Sequence, residues 1–184
     1  MKIIKTKLQG CVIIEPAVFG DERGFFLESY QEKRYFDAGI RERFVQDNKS
    51  RSSKNVLRGL HFQKNNPQGK LVSVTRGEVF DVAVDLRPNS ITFGEYEFVV
   101  LSCENKRQFY IPPGFAHGFC VMSEIADFQY KCSSYYDAND EGGLLWNDPE
   151  INIPWPVESP ILSDKDKQQP LFSEIKSCLK KRSE

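Results

Sequence analysis

The sequence predicts a mainly β fold, a barrel or sandwich with a few short helices, on three observations. Apolar and aromatic runs through the middle of the chain are interrupted roughly every ten residues by turn signals such as Arg76-Gly77, 87-RPNS-90, 112-PPG-114 and 147-NDPE-150. The segment 78-EVFDVAVDL-86 alternates strictly, with Phe80, Val82, Val84 and Leu86 on one face and Asp81, Ala83 and Asp85 on the other. Helix signals are confined to two short stretches. A length of 184 residues with 40% apolar content suits one domain, 1–184, with a full core.

Taken in order, the opening MKIIKTKLQG carries two early lysines and then breaks its apolar pattern with charge. It lacks the apolar centre of a secretory signal, so a cytoplasmic location is expected, and no apolar run reaches the ~20 residues of a membrane span. Ser29 to Gly39 reads as a helix, because Ser29 and Glu32 have capping-box spacing and Gly39 closes the end. Lys49, Arg51, Lys54 and Arg58 crowd the stretch NKSRSSKNVLRG, with Arg23 upstream. Such a cluster suits a phosphate or pyrophosphate, and suits a solvated basic loop as well. Net charge of -1 removes any global argument for nucleic acid.

The strand 78–86 follows 70-KLVSVT-75, and Arg76-Gly77 between them reads as a hairpin turn. The Asp81 face of 78–86 suits either a polar barrel interior or a solvent-facing sheet. In 114-GFAHGFCVM-122, His117 shares a face with Phe115, Phe119 and Val121; in 127-DFQYKCSSYY-136, Tyr130 lies with Phe128 and Cys132. His117 fits a core histidine bonded to a carbonyl, and Tyr130 a buried phenol with a local partner. Ser163 and Asp166 have the spacing that starts a helical turn. A last helix is expected over Ser173–Lys181, with basic residues where its dipole favours them, and the tail 182–184 is expected to be disordered. The five cysteines, Cys11, Cys103, Cys120, Cys132 and Cys178, are odd in number and show no metal-ligand spacing, which favours reduced thiols, with Cys120 and Cys132 as core filler.

Histidine chemistry has only two places to happen, His61 and His117. His61 and Lys70 lie nine residues apart in 57-LRGLHFQKNNPQGKLV-72. An imidazole takes a proton near neutral pH, and a nearby ammonium holds the oxyanion that appears when that proton leaves a carbon beside a carbonyl. Two isolated histidines without a third ligand nearby argue against a metal site.

Nine separated motifs then occur in one order: FGDERGFFLESY at 19–30, FVQDNKS at 44–50, NVLRGLHFQ at 55–63, QGKLV at 68–72, GEVFDVAVDLR at 77–87, IPPGFAHGF at 111–119, YKCSSYY at 130–136, LLWNDPEI at 144–151 and LSDKD at 162–166. Together they closely resemble the dTDP-4-dehydrorhamnose 3,5-epimerase family of the cupin superfamily, almost end to end. The resemblance implies a cupin-type β jelly roll, a homodimer, and epimerisation of the two carbons flanking the C4 ketone of dTDP-4-dehydro-6-deoxy-glucose, with no metal or other cofactor. It puts the base on His61, its partner carboxylate on Asp166, the general acid on Tyr130 and the oxyanion cation on Lys70. Substrate contacts carry over to Arg23, Glu28, Gln46, Asp47, Asn48, Arg58, His117, Glu141 and Lys165, with Arg23 and Arg58 for the pyrophosphate.

Asp164 stands near enough in sequence to compete with Asp166 for His61, and the motif favours Asp166. Ideal alternation sends Arg58 and His61 to opposite sheet faces although both are wanted at one ligand, and a bulge at Gly59 would repair this. Related activities are C3-only epimerisation and a ketone shift; all four proposed catalytic residues being present favours the double epimerase. A non-catalytic sugar-nucleotide sensor is the reading of a different class, and it needs no acid and base across one pocket.

Overall fold

The computed structural model describes residues 1–181; the tail 182–184, expected to be disordered, lies outside the described residues. Two antiparallel sheets face each other. The first has the order β1-β2-β10-β7-β12-β5, from β1 (Lys2–Lys5), β2 (Val12–Glu15), β5 (Gln46–Ser53), β7 (Lys70–Arg76), β10 (Gln108–Ile111) and β12 (Ile125–Cys132). The second has the order β13-β6-β11-β8-β9, from β6 (Leu57–Gln63), β8 (Glu78–Asp85), β9 (Tyr96–Ser102), β11 (Phe115–Val121) and β13 (Glu141–Gly143). A separate hairpin pairs β3 (Val18–Asp21) with β4 (Gly24–Leu27).

The strand pattern expected over 78–86 is present, and both of its faces are buried. Val79 and Ala83 point between the sheets, against Val72, Val74, Phe109 and Phe128 of the first sheet and Phe119 and Val121 of β11. Phe80, Val82, Val84 and Leu86 point the other way, into a second cluster closed by Ile151, Ile153 and Phe172. Each such fully buried side chain contributes about 1.5–3 kcal/mol relative to exposure. Asp81 and Asp85 have no exposed surface, so the Asp81 face lines the interior and the solvent-facing alternative is removed.

Arg76-Gly77 does turn the chain, but it is not a hairpin. β7 pairs with β10 and β12, whereas β8 pairs with β9 and β11, so this turn carries the chain from one sheet to the other. Gly77 has φ +75°, and a Cβ there would meet the Ile125 carbonyl oxygen at 2.1 Å. The crossover between sheets, characteristic of a jelly roll, therefore has the same local turn chemistry as a hairpin.

The first helix also differs from expectation. It spans Glu32–Asp37, and its cap is Gln31, whose side-chain oxygen accepts from Arg34 N at 2.6 Å. The Ser29 carbonyl is taken by the Tyr35 hydroxyl and the Gln108 side chain, which holds Ser29 outside the helix. Gly39, at φ +97°, ends the turn as expected. This helix brings Tyr35 onto the outer face of the first sheet, beside Ile14, Leu71 and Tyr110. The last helix, Phe172–Lys181, matches its expected span and packs Phe172, Ile175 and Leu179 onto the outer face of the second sheet. Thus the outer faces of both sheets carry helices, and the space between the sheets is left for core at one end and a cavity at the other.

Candidate active site

The cavity is built around β6. Its register against β11 pairs His61 with His117 but Arg58 with Phe119, so three steps on β6 span two on β11. The extra residue is the bulge expected at Gly59, and it brings Arg58 and His61 to one side. Gly59 has φ +115°, and a Cβ there would lie 2.7 Å from both Gly118 Cα and the His117 carbonyl oxygen, so the close approach of β6 to β11 requires glycine on both strands. The result is a cavity of about 490 Å³ lined by Arg58, His61, Lys70, His117, Tyr130, Lys165 and Asp166. An adjoining recess of about 230 Å³ shares His61, Lys70 and Tyr130 and adds Gln46, Asn48 and Glu141, with Tyr136 at its rim.

His61 is held by a carboxylate: its Nε2 lies 2.6 Å from Asp166 Oδ1. Asp166 opens a 3₁₀ turn, Asp166–Gln168, and its backbone N–H donates to Ser163 Oγ at 3.1 Å. The capping and the ligating roles of this motif therefore coexist. Burial alone would raise the Asp166 carboxyl, but the hydrogen bond to His61, with help from Ser163 and the Gly59 N–H, holds it below the usual carboxylate range. An acceptor on Nε2 fixes the tautomer with its proton there and a lone pair on Nδ1. Nδ1 lies 3.9 Å from Glu141 Oε1, too far for a hydrogen bond, and is open toward the recess. Asp164 is exposed and pairs with Lys167 at 3.0 Å, so it does not compete for His61.

Lys70 enters from the opposite sheet, with its ammonium 5.9 Å from the centre of the Tyr130 ring and within electrostatic range of Cys132, Asp81 and Glu141. Burial pushes this ammonium below the usual lysine range, partly offset by the charges around it. The Tyr130 phenol is shifted the other way, held neutral by burial. His117 is buried, with Nε2 at 2.9 Å and 3.1 Å from the two oxygens of Asp81. Its partner is thus a carboxylate rather than a carbonyl, and burial keeps the imidazole below its ordinary range. Glu141 accepts from Tyr136 OH at 2.7 Å and pairs with Lys165, and these bonds outweigh burial to keep it ionised.

Three predicted contact residues do not reach this cavity within the chain. Asp47 alternates outward from Gln46 and Asn48 and pairs with Lys131 at 2.9 Å on the outer face of the first sheet. Arg23 lies on the β3–β4 hairpin, bonded to Asp21, and Glu28 pairs with Arg34 at 3.1 Å. The basic cluster likewise divides. Lys49 and Arg51 face outward to Asp127 and Lys54 to Glu124, which fits the solvated reading, while Arg58 alone turns into the cavity. Sequence reasoning missed Asp81, Ser163 and Tyr136 as site residues. For Asp81 the signal was its place on the inward parity of β8; its diagonal contact with His117 depends on the long-range register Asp81↔Phe119.

A family model described as dTDP-4-dehydrorhamnose 3,5-epimerase matches residues 5–174. The chain is 57% identical over 168 residues to the dTDP-4-dehydrorhamnose 3,5-epimerase of Shigella flexneri, covering 90% of this chain and 93% of that protein. It is similar to the crystal structure of dTDP-6-deoxy-D-glucose-3,5-epimerase from Legionella pneumophila Philadelphia 1 in complex with dTDP-4-keto-L-rhamnose, with TM-score 0.93, 56% identity, and coverage of 97% of this chain and 96% of that one. A second similar structure is the dTDP-4-dehydrorhamnose 3,5-epimerase of Bacillus anthracis str. Ames with TDP and PPi bound, with TM-score 0.91, 49% identity, and coverage of 93% and 99%.

Proposed function

The chain belongs to the dTDP-4-dehydrorhamnose 3,5-epimerase family, a family of isomerases with a cupin-type β jelly roll, and from this premise we propose that it inverts C3 and C5 of dTDP-4-dehydro-6-deoxy-D-glucose in dTDP-rhamnose biosynthesis. The observation that carries the reading is a single cavity holding His61 fixed by Asp166 at 2.6 Å, the Lys70 ammonium, and the neutral Tyr130 phenol. In the proposed cycle His61, through the nitrogen that Asp166 leaves free, removes the proton beside the C4 ketone. Lys70 holds the enolate oxygen that forms. Tyr130 returns a proton to the opposite face, so that the carbon is inverted. Acid, base and oxyanion cation are all side chains, so the cycle uses no metal or other cofactor.

Arg58 is proposed to bind the diphosphate, because it projects into the cavity without a carboxylate partner among the described residues. Gln46, Asn48, His117, Glu141 and Lys165 are proposed to contact the remaining nucleotide sugar, and Asp47, whose side chain faces away, through its backbone. We propose a cytoplasmic homodimer, in which a second copy covers the hairpin residues Phe19, Phe25 and Phe26, each more than 60% exposed. Arg23 and Glu28, remote from the cavity of their own chain, then serve the ligand of the other copy. Sedimentation equilibrium should give twice the chain mass, and replacing Phe25 and Phe26 by serine should shift it toward the monomer. A monomeric parent would remove this assignment of Arg23 and Glu28.

Proton NMR in D2O with dTDP-4-dehydro-6-deoxy-D-glucose tests the activity. Deuterium should enter at both C3 and C5, with both centres inverted. Exchange at C3 alone would make the protein a single epimerase. Binding without exchange would make it a sugar-nucleotide sensor.

A further inference from the structure

Arg58 differs from the other cavity cations in how it is held. Lys165 is ion-paired with Glu141, whereas among the described residues the one side-chain hydrogen bond of Arg58 runs from Nε to Ser52 Oγ, at 3.0 Å. Ser52 is 7% exposed. It lies on β5, the edge strand of the first sheet, while Arg58 lies on β6 in the second, so this bond joins the two sheets across the β5–β6 turn. Ser52 has the inward parity of Asn48 and Ser50, and Ser50 itself lines the cavity.

A guanidinium offers two bidentate edges: one formed by Nε with an Nη, the other by the two Nη groups. With Nε bonded to Ser52, the second edge is left for a ligand. The bulge at Gly59 sets which side of β6 the Arg58 side chain leaves from; Ser52 sets how its planar end is turned. We propose that Ser52 is a positioning residue for nucleotide binding, holding Arg58 so that its two terminal nitrogens meet the diphosphate oxygens as a preformed fork. The proposal rests on the reading of the ligand as a nucleotide diphosphate sugar.

The test is a double-mutant cycle read by calorimetric affinity for dTDP and by steady-state kinetics at one ionic strength. Arg58→Ala should raise KM and the dTDP Kd by about 100-fold, the scale expected for losing a bidentate charge-assisted contact. Ser52→Ala should raise both by about 10-fold and leave kcat within about twofold, since a loosened but intact arginine loses affinity shared by ground and transition states. Ser52→Thr, which keeps the acceptor hydroxyl, should restore most of the loss. Ser52→Cys, close in size but a weak acceptor, should behave as Ser52→Ala and guards against a packing artefact. In the Arg58→Ala background, Ser52→Ala should add less than about twofold, because the group it positions has gone.

An equal loss in both backgrounds would overturn the proposal, as Ser52 would then act independently of Arg58. So would unchanged dTDP affinity in Ser52→Ala. Failure of the parent protein to bind dTDP at all would sink the nucleotide reading and this proposal with it, and is distinguishable because it precedes any substitution.

Discussion

His61→Asn is expected to lower the rate of deuterium exchange at both C3 and C5 by about 10²- to 10⁴-fold, the usual worth of a positioned general base. In the proposed site His61 is the accessible imidazole, with 30% of its side chain exposed against 8% for His117, which is held through Nε2 by Asp81. Both carbons must therefore present their protons to His61, by reorientation of the sugar or by a ring flip. Asparagine ends about where Nδ1 stood and falls short of Asp166, but that carboxylate keeps the Ser163 side chain and the Gly59 N–H as partners, so it is not left unpaired and the fold should survive. Lys70 is untouched, and its ammonium still stabilises an enolate, yet without a base the enolate does not form at a useful rate. The measurement is the loss of the C3 and C5 proton signals in D2O, each followed separately. Near-parental exchange at either carbon would overturn the single-base reading and require a second base for that position.

How far the site was legible in the sequence depends on whether the relevant contact is local. The alternation in 78–86 was legible because strand parity is a local property: it put Asp81, Ala83 and Asp85 on one shared face, but whether that face met the interior or solvent was decided by the facing sheet. The conflict between Arg58 and His61 was legible for the same reason: two residues three apart cannot share a face of a regular strand, and Gly59 is where the backbone could yield. Parity would also have divided the basic cluster, since Lys49 and Arg51 alternate with the inward Asn48, Ser50 and Ser52. The turn at Gly77 could not be read in this way. Its local chemistry is the same whether the next strand pairs with the previous one or joins the facing sheet, and the choice is made by partners remote in sequence, Gln108–Ile111 and Ile125–Cys132. Ser29 failed as a helix cap because its carbonyl is claimed by Gln108, also remote in sequence.

Tyr130→Phe is expected to separate two readouts that run together in the parent enzyme. Removal of a proton and its return from the opposite face require different groups, and this substitution deletes only the hydroxyl while keeping a ring that packs 5.8 Å from Phe128. His61 and Lys70 remain, so the enolate should still form, and deuterium should still enter the sugar from the face of the base. Inverted product should fall by about 10²-fold or more, the scale expected for a lost general acid. The phenol is suited to the donor role because burial raises its pKa and holds it protonated through neutral pH. If water replaces it at the more exposed carbon, the product will be inverted at one centre only, which NMR coupling constants distinguish from double inversion. Should the phenylalanine variant make doubly inverted sugar at the parental rate, Tyr130 is not the acid, and the enolate must be protonated by another donor or by solvent entering the recess beside Gln46 and Asn48.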